Sequence, residues 1–229
     1  MKENKVFICL LGVVFLILGI CLFLSFYKGN NDIKKSDAII IKELYESKND
    51  EDGYVKVSLG EDNPFVQKSE EEIVKILKEK TGIIVFATHE SNASRSVISL
   101  LSDVAHELKY GSISYLDVKD VRDEYSLDNL HNTILDKDGT NGYKHILEVL
   151  DEELMPYIIE NSDGTKVNVG ESRIYMPTIV AVYNGKIQSV HTITTNEDKI
   201  IDEKEKDNLK GIFKTMIESV TDELCDDAC

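Results

Sequence analysis

The residues most able to do covalent chemistry are few, and two of them end the sequence as Cys225-Asp226-Asp227-Ala228-Cys229. A Cys-x-x-x-Cys pair can cycle between dithiol and disulfide, bridge to a second molecule, or bind a metal with help from Asp226 and Asp227. A metal needs more ligands at defined spacing than this tail supplies, so a local disulfide capping the last helix is the preferred reading. Cys9 and Cys21 fall inside an apolar run and act there as small hydrophobic side chains. The histidines His89, His106, His131, His145 and His191 share no ligand spacing. His89-Glu90 begins the zinc pattern HExxH, but Ala93 stands where its second histidine belongs. No metal and no cofactor is therefore expected. Ser91 is the remaining candidate nucleophile. It would need a base oriented by an acid, and His89, two residues away with no evident acid, does not supply that pairing. A serine here more simply caps a helix by accepting a bond from a free backbone N–H.

The elements that must position these residues follow from hydrophobic spacing. Residues 28–53 are polar apart from Ala38-Ile39-Ile40-Ile41 and read as a linker with one helical stretch. Residues 54–59 alternate and predict a strand. Ser69-Glu70-Glu71-Glu72 is a capping box, opening a helix with Ile73, Val74, Ile76 and Leu77 on one face. Gly82 stops it. The unbroken run Ile83-Ile84-Val85-Phe86-Ala87 predicts a strand buried on both faces. A polar turn at 88–92, a helix over 94–109 and a strand over 112–118 complete a right-handed crossover with parallel strands. Residues 120–141 read as irregular and partly helical, and Tyr143, Ile146, Leu147 and Leu150 mark a further helix. Residues 156–175 are turn-rich, with a small hairpin at Ser162-Asp163-Gly164. Strands at 178–183 and 186–193 pair around the type I′ turn Asn184-Gly185. A last helix is expected over 203–224. The class is α/β, a central mixed sheet flanked by helices.

Residues 6–27 contain no charge and no proline. At helical rise they span roughly 33 Å, about the thickness of a bilayer core, and predict one transmembrane helix. The apolar run is too long for a cleaved signal peptide and has no small-residue exit site. Basic residues flank it on both sides (Lys2 and Lys5, then Lys28, Lys34 and Lys35), so charge does not fix its orientation. A five-residue leader (residues 1–5) followed at once by a signal-anchor stays in the cytoplasm, which places the remainder outside. From Lys28 onward there are 24 basic and 41 acidic residues, a surplus that disfavours nucleic acid and anionic lipid as partners. An extracytoplasmic location would permit Cys225 and Cys229 to pair.

Two local patterns resemble one family. The stretch Ile84-Val85-Phe86-Ala87-Thr88-His89-Glu90-Ser91-Asn92-Ala93-Ser94-Arg95 is similar to the thioredoxin-like strand, turn and helix that carries CxxC. Tyr175-Met176-Pro177-Thr178, continuing through Asn184-Gly185-Lys186, resembles the same superfamily's cis-proline strand and hairpin. The likeness covers residues 54–224 and is closest to membrane-tethered bacterial members such as bacteriocin-transport-accessory proteins, where Tyr115-Leu116-Asp117-Val118 also fits. It implies a thioredoxin-like sheet, with Ser91 beside a cis Pro177 and with Met176 meeting the extended backbone of a partner.

The departures from the family decide the expected activity. Ser91 and Ser94 occupy the positions of the two family cysteines. Disulfide exchange needs a thiolate nucleophile and a sulfur leaving group, and a serine supplies neither. The buried acid that some members carry six residues before the first cysteine is Val85 here. The expectation is a redox-inactive, membrane-anchored domain that binds an extended segment of a secreted or membrane protein through Ser91, Met176 and Pro177. Segments 120–141 and 156–174 would widen the same edge into a groove. The alternatives are a thiol-disulfide oxidoreductase working through Cys225 and Cys229, or an ordinary tethered oxidoreductase whose cysteine pair has been replaced. The residues 225–229 would lie a domain's width from Ser91.

Overall fold

Isoleucine and valine at consecutive positions leave no solvent face, so the run that begins at Ile83 has to be a central strand. In the computed structural model, which describes residues 35–161 and 163–221, it is β2 (Gly82–Phe86). Its neighbours are β3 (Ile113–Leu116), parallel to it, and β8 (Thr178–Tyr183), antiparallel. The sheet is completed by β1 (Phe65–Gln67) beyond β3 and by β9 (Lys186–Thr192) beyond β8, in the order β1-β3-β2-β8-β9.

Side-chain alternation along β2 divides the core in two. Ile83 and Val85 join Ile113, Tyr115, Ile179 and Ala181 on one face of the sheet. There they meet α1 (Asp37–Glu46), α3 (Asn92–Glu107) and α5 (Glu203–Glu218). Ile84 and Phe86 join Val180 and Val182 on the other face, under α2 (Glu70–Glu79) and α4 (Asn141–Leu150). Burial of each such residue contributes about 1.5–3 kcal/mol. The capping box is present, with Ser69 accepting from the Glu72 N–H and Glu72 from the Ser69 N–H. The β8–β9 turn has φ of 48° at Asn184 and 70° at Gly185, the two left-handed residues of a type I′ turn.

Several expectations are corrected. The helical stretch expected within residues 28–53 is α1, but it belongs to the fold rather than to a linker, because its Ile41 and Tyr45 are fully buried. Residues 54–59 are extended but form no strand, although Val57 and Leu59 are buried as their alternation requires. Their backbone is paired by side chains instead. Asn49 accepts from Val57 N–H (2.8 Å) and donates to Val57 O (2.7 Å), as a neighbouring strand would. Asn92 does the same between Val55 N–H (2.8 Å) and Gly53 O (2.8 Å). Residues 120–141 hold a two-stranded hairpin, β4 (Glu124–Leu127) with β5 (Thr133–Lys137), rather than helix, since Asp128 accepts from Leu130 and Asn132 N–H and folds the backbone back on itself. The hairpin expected around Gly164 is longer than a small turn, comprising β6 (Met155–Glu160) and β7 (Lys166–Arg173). The last helix stops at Glu218 instead of Leu224, where the Ser219 hydroxyl donates to the Met216 carbonyl. The anchor, residues 6–27, and Cys225 and Cys229 lie outside the described residues. Among those described, no helix is long and apolar enough to cross a membrane.

Candidate functional site

The loop leaving β2 and the loop entering β8 must meet, because the two strands are hydrogen-bonded neighbours with Phe86 opposite Thr178. Ser91 and Met176 are brought together there, and the Met176–Pro177 bond is cis. Ser91 is the N-cap of α3, its Oγ accepting from Ser94 N–H at 3.1 Å. Its single hydroxyl proton points to Glu197 O at 2.7 Å, with Met176 O more distant at 3.4 Å. Ser94 Oγ accepts from Thr88 N–H at 3.3 Å. Both serines are buried. Both hydroxyls hold the loop and helix start, Ser91 as donor and acceptor and Ser94 as acceptor.

No motif or spacing pattern singles out Glu197, yet it organises the site. It lies between β9 and α5 and contacts the site through both its backbone and its carboxylate. Its carbonyl accepts from Ser91 Oγ and from Ala93 N–H (3.0 Å), satisfying a free donor of the α3 first turn. Its carboxylate receives both ends of the Arg122 guanidinium, Nη1 at 2.6 Å and Nη2 at 3.0 Å. Glu197 Oε1 also accepts from Met176 N–H at 3.1 Å. The backbone donor expected to meet a partner is thus held by the protein's own glutamate, and Met176 is fully buried. Burial opposes the charge on Arg122, but hydrogen bonding and ion pairing with Glu197 outweigh it and raise its pKa.

A cleft of about 240 Å³ opens here, with Glu90, Lys119, Arg122 and Asp198 lining it beside Ser91, Met176 and Glu197. Glu90 pairs with Lys119. A second cleft of about 650 Å³ is lined by Pro156, Ile158 and Lys166 of the β6–β7 hairpin, by Tyr175, and by Thr195 and Asn196. The short segment 195–198 therefore serves both clefts, Thr195 and Asn196 lining the larger and Glu197 and Asp198 the smaller. Of the two insertions, the β6–β7 hairpin lines the larger cleft, while the segment leading into β4 supplies Arg122 to the smaller. The ring nitrogens of His89 are 3.8 Å from Asp117 and 3.9 Å from Glu90, and among the described residues its buried Nδ1 has no hydrogen-bond partner. No group of three or more potential ligands among the described residues is placed to hold a metal.

Fold and cleft together define a mixed α/β domain with a cis-proline loop facing a capped helix start. Comparison with known proteins finds no matching family model, no matching curated protein and no matching solved structure.

Proposed function

We propose that this protein is a redox-inactive relative of the thioredoxin-like superfamily, tethered to a membrane by residues 6–27 with its domain outside the cytoplasm. Its proposed task is to bind an extended segment of a secreted or membrane protein. The observation that carries the reading is the juxtaposition of the cis Met176–Pro177 bond with Ser91 at the head of α3, beside two clefts. The sheet order and the helices on both faces agree with the resemblance drawn from the sequence. The hydroxyls in place of the thiols are structural, which favours binding over exchange.

The test is site-specific photo-cross-linking in intact cells with the full-length protein. A photoreactive residue replaces Lys119 at the cleft, or Lys210, which pairs with Glu107 at the far end of α3. A secreted or membrane protein joined through position 119 but not 210 is the expected result. Equal labelling at both positions, or insulin-type reductase activity of the purified protein, overturns the reading.

A further inference from the structure

Glu197 occupies the cleft as a ligand would. Its carboxylate takes both terminal nitrogens of Arg122, and one oxygen also takes Met176 N–H. Such a two-pronged grip plus a backbone donor is the usual chemistry of carboxylate recognition. Arg122 is itself nine-tenths buried, and among the described residues its Nε has no hydrogen-bond partner, so Glu197 does not satisfy the whole guanidinium. A buried arginine whose fork is filled by a carboxylate is a built anion site, not a solvated surface charge.

We propose that Arg122 and Met176 N–H form a carboxylate-binding subsite, that Glu197 is its internal stand-in, and that the partner segment enters by supplying a carboxylate in its place. This rests on the segment-binding function proposed above and names the chemistry the segment must carry. The neighbouring residues fit an exchange of this kind. Asn196 lines one cleft and Glu197 the other, so a shift of residues 195–198 would open both to one incoming segment, at the cost of the Ser91 and Ala93 bonds to Glu197 O. The carboxylate comes from an Asp or Glu side chain or from the free carboxyl end of a polypeptide. Both present the same planar pair of oxygens.

The probe is a dye-labelled peptide of the protein's own sequence over residues 193–201, offered in trans to the full-length protein in detergent and followed by fluorescence anisotropy. Against wild type, where the internal Glu197 competes, binding is expected to be weak. The Glu197→Gln protein should bind the peptide about tenfold tighter or more, because charge-assisted bonds are no longer satisfied internally. A peptide with glutamine in place of its glutamate should lose that gain, as should Arg122→Lys combined with Glu197→Gln. Peptides truncated after the glutamate equivalent, with glutamine there and either a free or an amidated carboxyl end, separate the two carboxylate sources. Thermal unfolding of each variant checks that folding is retained. Equal affinity of the Glu197→Gln protein for carboxylate and amide peptides overturns the subsite and leaves segment binding standing. No binding of any peptide to either protein overturns the subsite, while cross-linking at position 119 still decides the segment-binding function.

Discussion

Replacing Arg95 with methionine removes a fully formed donor set from a buried place while nearly preserving length. Arg95 is 2% exposed. Its Nε donates to Val55 O (2.7 Å), Nη1 to Tyr45 O (2.7 Å) and His89 O (3.1 Å), and Nη2 to Asn49 Oδ1 (2.9 Å). These acceptors belong to α1, the loop after it, the extended segment and the loop before α3, so one side chain ties four stretches together. Among the described residues no carboxylate pairs with it, and burial lowers its pKa. Losing the charge therefore recovers some desolvation cost, while each acceptor stranded costs about 1–3 kcal/mol before water re-enters. Asn49 Oδ1 keeps the Val57 N–H, so three carbonyls are stranded; they outweigh the recovered term, and the net loss is expected at about 3–5 kcal/mol. For a domain of this size that is a drop in Tm of roughly 6–20 °C. Far-UV circular dichroism during thermal and urea unfolding measures it, since the protein has no tryptophan. Arg95→Lys keeps the charge without the planar fork and should fall between the two. An Arg95→Met protein within about 0.5 kcal/mol of wild type would refute the reasoning, because that is the range of an ordinary surface change.

Two other perturbations separate backbone strain from electrostatics. Gly185→Ala should cost about 2–4 kcal/mol by the same unfolding assay, because a Cβ there would sit 2.1 Å from Lys78 O, a backbone atom, at a φ of 70°. An alanine variant as stable as wild type would show that the hairpin does not need to approach the end of α2 so closely. Asp123 is buried, its carboxylate oxygens have no partner from another described residue, and desolvation raises its pKa. Between the ordinary value of 3.8 and the raised one, the native state holds a proton that the unfolded state has released, so stability falls as pH rises through that window. Asp123→Asn should remove that slope and leave the variant more stable than wild type at neutral pH, with the gap closing at acid pH. Parallel stability curves for the two proteins would contradict this.

Local chemistry makes part of the fold legible. β2 is readable from five consecutive apolar residues, the α2 start from the Ser69–Glu72 pair, and the last hairpin from Asn184-Gly185. Ser91 is readable as a cap for the same reason. What is not legible depends on distant partners. Arg122 and Glu197 are 75 residues apart, and each looks like an ordinary charged loop residue until the loops after β3 and β9 are brought together. Residues 54–59 carry a strand's burial pattern, but alternation reports only which side chains are buried. Their pairing is decided by the amides of Asn49 and Asn92. In α1 the signal exists at low contrast, since Ile41 and Tyr45 are one helical turn apart within a short charged stretch.

The extended segment bears on how copies of the protein behave toward one another. A strand-like stretch with alternating apolar residues near a sheet's margin would ordinarily offer a row of free donors and acceptors on which a second molecule could build. Here the N–H groups of Val55, Val57 and Leu59 go to Asn92, Asn49 and Glu46. The carbonyls of Val55, Val57 and Ser58 go to Arg95, Asn49 and Ser99. The side chains that position this segment also close it to edge-to-edge assembly, so loss of Asn49 or Asn92 would open a template for aggregation as well as loosen the fold.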